Sequence, residues 1–414
     1  MRPVSGFPSH VAGLSAGVSA QAIDTRIAVL DAARALAILG VIAVHLGLWM
    51  PGLPDGLSAA AAMGQYGVQL FFVISAVTVS RTLEADERRY GAALNTVVRR
   101  FYIKRFVRIA PLYYAAIVAY GGLDYLAHLA HGQITLPHQA SDVVANLLFI
   151  HGWIPGAINS VVPGGWSIGI EMSFYALAPF ALYASRTLRG LWATGIFLLI
   201  TAAAAALGGA CFFDAQCHVG NNGFTYFWLP VQMPCFVLGL WLARLGMPYL
   251  SGAARLSRSA LLAVIMAGVS STALLYAVGS GDELAHWLAP GVAALASVCL
   301  LTGGAHVPQR WLHAPFVLKF GQQSYGVYLW SAAVVALVRA LLKTPVGHAV
   351  KLYPTVSFVV ALVVVSVLSY AAAVLTTRWI DRPCAAWLRR ALLAQGARDA
   401  RRHATPRASG EPVE

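Results

Sequence analysis

Val29-Leu30-Asp31-Ala32-Ala33-Arg34-Ala35-Leu36-Ala37-Ile38-Leu39-Gly40-Val41-Ile42-Ala43-Val44-His45 is an apolar run interrupted by three ionisable side chains. A run this apolar forms a helix that lies either in a protein core or across a bilayer, and the rest of the chain decides between the two. Comparable runs recur near 63–83, 107–123, 166–185, 190–210, 225–245, 259–279, 285–303, 322–342 and 355–379, which with 27–49 makes ten. At about 20 residues each, ten spans use roughly half of the 414 residues. The composition agrees: 58% hydrophobic and 11% charged residues, with a mean hydropathy of +0.68. This excludes a soluble globule, a disordered chain, a collagen and a coiled coil. The expected fold is an all-α polytopic membrane helix bundle of about ten transmembrane helices, with Pro/Gly-rich turns such as Val162-Pro163-Gly164-Gly165 between them.

The 29 basic and 16 acidic residues give a net charge of +13. In a membrane protein the placement of the basic residues matters more than their sum, so nucleic acid is not the expected partner. With the N-terminus inside, 26 of the 29 Lys and Arg fall in inner segments. Arg339, Lys343 and Lys351 flank one outer loop, and the outer loops around 123–165, 211–224 and 280–284 carry none. Both termini are therefore expected in the cytoplasm, with residues 1–26 a flexible tail, 27–383 the membrane domain and 384–414 a basic tail. The basic segments serve equally as topology signals against anionic lipid or as binders of an anionic cytosolic substrate. The five cysteines show no metal-ligand spacing, and no metal is expected; Cys211 and Cys217 share an outer loop and are read either as a pair or as free thiols.

Ionisable groups within apolar spans are costly, and so they are the first functional candidates. Asp31 and Arg34 stand at i,i+3. His45 follows Arg34 by eleven positions, which returns to nearly the same helix face about 16 Å further along. Arginine and histidine are thus expected to look into one passage. Arg34, always protonated, suits phosphate or amide recognition, and the His45 imidazole suits a general base in acyl transfer. The alternative is a structural Asp31–Arg34 pair with His45 bonded to a neighbouring helix. In the fourth span, Gly164-Gly165-Trp166-Ser167-Ile168-Gly169-Ile170-Glu171 sets a carboxylate about one turn inside the outer end. Counted from the helix ends, Glu171 and His45 lie at similar depth, so a contact that fixes the imidazole tautomer is a second expectation. The alternative there is a buried glutamate bonded to a hydroxyl.

Four separated segments together resemble acyltransferase family 3, a family of membrane O-acyltransferases of the O-antigen and exopolysaccharide acetylase type. Leu30-Asp31-Ala32-Ala33-Arg34 through His45 is similar to its L-D-G-x-R opening and arginine-to-histidine spacing, and Gly67-Val68-Gln69-Leu70-Phe71-Phe72-Val73-Ile74-Ser75 to its G-V-D-L-F-F-V-L-S-G helix. Lys104-Arg105-Phe106-Val107-Arg108-Ile109-Ala110-Pro111-Leu112-Tyr113 is similar to R-R-x-x-R-I-x-P-L-Y, and Trp166-Ser167-Ile168-Gly169-Ile170-Glu171 to W-S-L-x-x-E. Weaker matches follow at Phe320-Gly321-Gln322-Gln323-Ser324-Tyr325-Gly326-Val327-Tyr328-Leu329-Trp330 and Trp379-Ile380-Asp381-Arg382-Pro383. Gln69, Ala76, Met172, Ser331 and Asp381 depart from the family pattern, and bear on acceptor identity more than on reaction class.

The resemblance implies transfer of an acyl group, usually acetyl, from cytosolic acetyl-CoA to a hydroxyl of a cell-surface carbohydrate or glycolipid. The setting it implies is the bacterial inner membrane, with membrane lipid as the surrounding partner and no permanently bound cofactor. His45 and Glu171 are the expected catalytic pair; Arg34, Asp31, Arg105 and Arg108 the donor-binding set; and Trp166, Ser167, Tyr175 and Tyr325 the acceptor pocket. Transfer is expected to be direct, with an acyl-His45 intermediate as the alternative. From other classes, a transporter or flippase and a catalytically silent binder also use buried ions, although no internal symmetry supports the transporter.

Overall fold

The computed structural model describes residues 27–90, 94–132, 136–213, 223–279, 283–308, 314–342, 344, 352–388 and 390. Among these there are helices and turns and no strand. The helices of eight residues or more are α1 (Ala28–Gly47), α2 (Asp55–Met63), α3 (Gly67–Tyr90), α4 (Leu94–Ala130), α5 (Ala140–Leu147), α6 (Trp166–Ala184), α7 (Leu188–Phe213), α8 (Leu229–Leu245), α9 (Arg258–Gly279), α10 (Glu283–Gly304), α11 (Pro315–Gln322), α12 (Ser324–Leu341) and α13 (Pro354–Thr376). Ten segments are long and apolar enough to cross a membrane, and each coincides with a predicted span. The two expected tails and any bond to Cys217 fall wholly or mainly outside the described residues.

The centre of the bundle is α1, α3 and α8, whose facing side chains Ile38, Ile42, Val73, Ile74, Phe236 and Val237 are fully or almost fully buried. α7 and α9 sit at the periphery and bury few residues, as suits helices that face lipid. α3 is continuous with α2 through a short 3₁₀ turn at Gly64–Tyr66, where the chain passes closest to α1. A Cβ at Gly64 would collide with the backbone of Gly40, so glycine at both positions permits this crossing. At the basic end of the bundle, a Cβ at Gly321 would likewise strike the Asp31 carbonyl. Glycine there lets α11 lie on the first turn of α1.

Residues 136–165 do not form a simple exposed loop. α5 and a 3₁₀ turn at His151–Trp153 fold back into the bundle beside α6, and Ala157, Val161 and Val162 are buried. Polar groups pin this segment. The Tyr113 hydroxyl donates to Asn146 Oδ1 (2.7 Å), and His151 Nε2 lies 2.9 Å from the Gly165 carbonyl and 3.2 Å from the Tyr113 hydroxyl. The His151 and Tyr113 rings stack at 5.8 Å. Burial holds His151 below the ordinary imidazole range, partly offset by the Gly165 carbonyl, so the ring is neutral at pH 7 and donates from Nε2.

This segment fixes where α6 begins. Gly164 and Ser167 bond the hydroxyl of Tyr328, which is only the second turn of α12 from its basic end. α6 therefore starts well inside the bundle rather than at its surface.

Candidate active site

One face of α3 organises the site. Ser75, Thr78 and Thr82 recur at i, i+3 and i+7 and so project in one direction. Each meets a charged side chain from another helix. Ser75 Oγ donates to Glu171 Oε1 at 2.5 Å, Arg34 Nη2 donates to Thr78 Oγ1 at 2.8 Å, and Arg105 Nη2 donates to Thr82 Oγ1 at 2.8 Å. A cavity of about 640 Å³ opens along this stripe, lined from α1 by Asp31 and Arg34, from α4 by Arg105 and Arg108, from α6 by Ser167, Glu171 and Tyr175, and from α12 by Ser324, Tyr325 and Tyr328.

The lining is strongly cationic: five arginines (Arg34, Arg81, Arg105, Arg108 and Arg382) face two carboxylates, Asp31 and Glu171. Arg34 is anchored by Asp31 at 2.7 Å, and Asp31 Oδ2 also accepts from Gln322 Nε2 at 3.3 Å. Among the described residues Arg105 and Arg108 form no ion pair. Arg105 lies over the Tyr175 ring at 5.3 Å with its Nε buried and unbonded, and Arg108 lies over the Tyr325 ring at 5.7 Å. Guanidinium groups stacked on rings and outside ion pairs keep most of their hydrogen-bond donors for an incoming anion.

Deeper in the cavity the chemistry changes. Glu171 accepts a second hydrogen bond, a short one, from the Tyr175 hydroxyl one turn along α6, and the Ser75 and Tyr175 oxygens are 3.1 Å apart. Nothing in this cluster is a histidine.

The structure thus brings together Asp31, Arg34, Arg105, Arg108, Ser167, Glu171, Tyr175 and Tyr325 in one cavity, and leaves His45 and Trp166 out of its lining. His45 is exposed, with Nδ1 2.6 Å from the Val41 carbonyl of its own helix. The expected shared passage is interrupted because Ile38 and Val41, which occupy the stripe between Arg34 and His45, are buried in the apolar core. The expected His45–Glu171 contact is absent, since Ser75 and Tyr175 hold Glu171 instead. Equal depth was counted from helix ends taken to lie at the membrane surface, whereas α6 begins inside the bundle. Trp166 stacks on Phe227 at 4.3 Å and meets Phe72 edge-on, which makes it a packing residue.

Ser75, Thr78, Gln322 and Tyr328 were not singled out by the sequence. Hydroxyl and amide groups are common helix-to-helix bonds in membrane proteins, and the recurrence of Ser75 and Thr78 on one face of α3 is the signal the sequence offers; Gln322 and Tyr328, on α11 and α12, share no such pattern. Among the described residues no group of His, Cys, Asp and Glu is placed to hold a metal ion.

The Acyltransferase domain family model matches residues 27–378. Similar chains include a provisionally named O-acetyltransferase of Staphylococcus aureus strain COL, 25% identical over 332 residues, covering 75% of this chain and 51% of the relative. The O-acetyltransferase OatA of S. aureus strain NCTC 8325 is 23% identical over 337 residues, with the same shares of 75% and 51%. This chain spans about half the length of the curated relatives it matches. No solved structure matches it. The matched region contains α1 to α13 and every side chain of the cavity up to Tyr328, so the chain belongs to acyltransferase family 3.

Proposed function

We propose that the protein is a multi-pass O-acyltransferase of the bacterial inner (cytoplasmic) membrane. It moves an acyl group, acetyl in the first instance, from cytosolic acyl-CoA to a hydroxyl of a cell-surface carbohydrate or glycolipid. The observation that carries this reading is the cavity itself: unpaired Arg105 and Arg108 near the basic end, and a carboxylate with two hydroxyl partners further in.

In this reading Arg105, Arg108 and the anchored Arg34 hold the donor phosphates by charge-assisted hydrogen bonds. Asp31 and Gln322 keep the Arg34 fork in place. The pantetheine arm extends past Tyr325 and Tyr328 and brings the thioester to Glu171, the proton acceptor that the cavity offers. The acceptor approaches from the far end, where Ser167 supplies a polar contact, and Tyr175 closes the other side of Glu171. His45, exposed near that end of α1, is assigned to the acceptor route as a hydrogen-bonding contact.

The test uses the purified full-length protein in lipid nanodiscs, supplied with acetyl-CoA and fractions of surface glycans and glycolipids. Acceptor-dependent release of the CoA thiol, with acetyl found on the acceptor by mass spectrometry, is the expected result. Lack of turnover with every fraction, from protein that remains folded, would remove the reading.

A further inference from the structure

The cavity holds several hydroxyls, and their partners separate them by chemistry. Thr78 Oγ1 donates to the Ile74 carbonyl of its own helix, Ser167 Oγ to the Gly164 carbonyl and the Tyr328 hydroxyl, Tyr325 to the Ile109 carbonyl and Tyr328 to the Gly164 carbonyl. Each of these donates its proton to a group that cannot remove it. Only Ser75 and Tyr175 donate to a carboxylate. Of the two, Ser75 is a primary alcohol on the cationic stripe of α3, one turn from Thr78 and therefore from the Arg34 guanidinium bonded there. Nucleophile in hydrogen-bond contact with a base, and base oriented by a third group, is the arrangement of an activated nucleophile; Tyr175 is that third group. His45, by contrast, is exposed and separated from the cavity by buried Ile38 and Val41.

We infer that Ser75 is a covalent nucleophile, carrying the acyl group as an ester between donor and acceptor, with Glu171 as its acid and base. The inference rests on the acyl-transfer reading given above. In the first step the Ser75 oxygen attacks the thioester carbonyl as its proton passes to Glu171. The carbon–sulfur bond then breaks, and the CoA sulfur leaves with the proton from Glu171. In the second step the acceptor hydroxyl attacks the seryl ester while giving its proton to Glu171. The ester bond to Ser75 breaks, and the serine oxygen recovers that proton. No oxidant, metal or further reactant enters. A two-step route also suits the geometry, because donor and acceptor then use the cavity in turn and need not fill it together.

The experiment incubates the full-length protein in nanodiscs with radiolabelled acetyl-CoA and no acceptor, followed by acid quench, proteolysis and peptide mass spectrometry. The expected result is an acetyl ester on the peptide containing Ser75, removed by alkaline hydroxylamine and chased by added acceptor. Ser75→Ala is expected to lose the label and to slow overall transfer by a factor on the order of 10³ or more. Its fold is verified separately by retained thermal stabilisation with CoA. Turnover by the wild-type protein with no acyl-Ser75, label at Tyr175 or His45 instead, or near-normal transfer by a CoA-binding Ser75→Ala variant each overturns the serine role and leaves acyl transfer standing. Absence of any turnover in the wild type overturns both.

Discussion

Replacing Glu171 by Gln keeps the side-chain shape and the hydrogen bonds to Ser75 and Tyr175, but removes the capacity to accept a proton. CoA release is therefore expected to fall by about 10² to 10⁴ in kcat while the donor KM stays near its wild-type value, because the arginines are untouched. A fall confined to KM would argue against a proton-transfer role. Arg108 gives the opposite split. Among the described residues it forms no ion pair, although its charge acts on the buried Asp381 beside Arg382, so Arg108→Gln is expected to cost less stability than loss of Arg34 and to raise the donor KM about tenfold, equivalent to about 1.4 kcal/mol; steady-state kinetics against acetyl-CoA measures it. Arg34 differs again, since its loss leaves Asp31 buried without its partner, and Arg34→Ala should destabilise the protein by about 3 kcal/mol as well as weaken donor binding. Arg34 was legible in the sequence because a permanent charge within an apolar span has few explanations. Ser75 was not, because a single hydroxyl on a membrane helix is cheap and common, and its meaning comes from Glu171 on a helix 96 positions away.

The element that decided depth in the site is the segment 136–165, which sequence reading treated as an outer loop because it holds no Lys or Arg. What turns it inward is the Asn146–Tyr113–His151–Gly165 chain of bonds, whose members are too far apart in sequence to form a local signal. This gives the segment a pH dependence with a definite sign. Unfolded, His151 titrates near pH 6.5; folded, burial lowers its pKa, so in the window between the two values the unfolded chain binds more protons. The stability contributed by neutral His151 is thus complete above pH 6.5 and is lost as the pH falls from there through the folded pKa. Thermal unfolding of the purified protein from pH 7.5 down to pH 5 should show this decline, and His151→Gln, which cannot titrate, should flatten it. An equal decline in both proteins would assign the effect to other groups.

At the scale of the molecule, ten apolar periods were enough to place ten helices, because the bilayer sets one length and requires every backbone group to be bonded within its own segment. The order of packing was less legible: helices that face lipid and helices that face one another are similarly apolar, and glycine contacts such as Gly40 with Gly64 are specified by shape alone. Charge gives the expected orientation, which is the premise on which a cytosolic donor depends. The cationic cavity shares its end of the bundle with Arg244, paired to Glu84 at 2.8 Å, and with the loop that follows α8, whereas α5 follows His138, whose Nε2 is 3.0 Å from Asp124 in the last turns of α4, away from the arginines at the start of that helix. Ser251 in that loop and Ser141 on α5 are both exposed, and each can carry a cysteine without disturbing a buried group. If basic segments face the cytoplasm, a membrane-impermeant maleimide applied to intact cells should label Ser141→Cys and not Ser251→Cys, with the parent chain as the blank. After permeabilisation both should react. Labelling of Ser251→Cys in sealed cells would put the arginine cavity on the side of the membrane that has no acyl-CoA, and a cytosolic thioester donor would then have no route to Glu171.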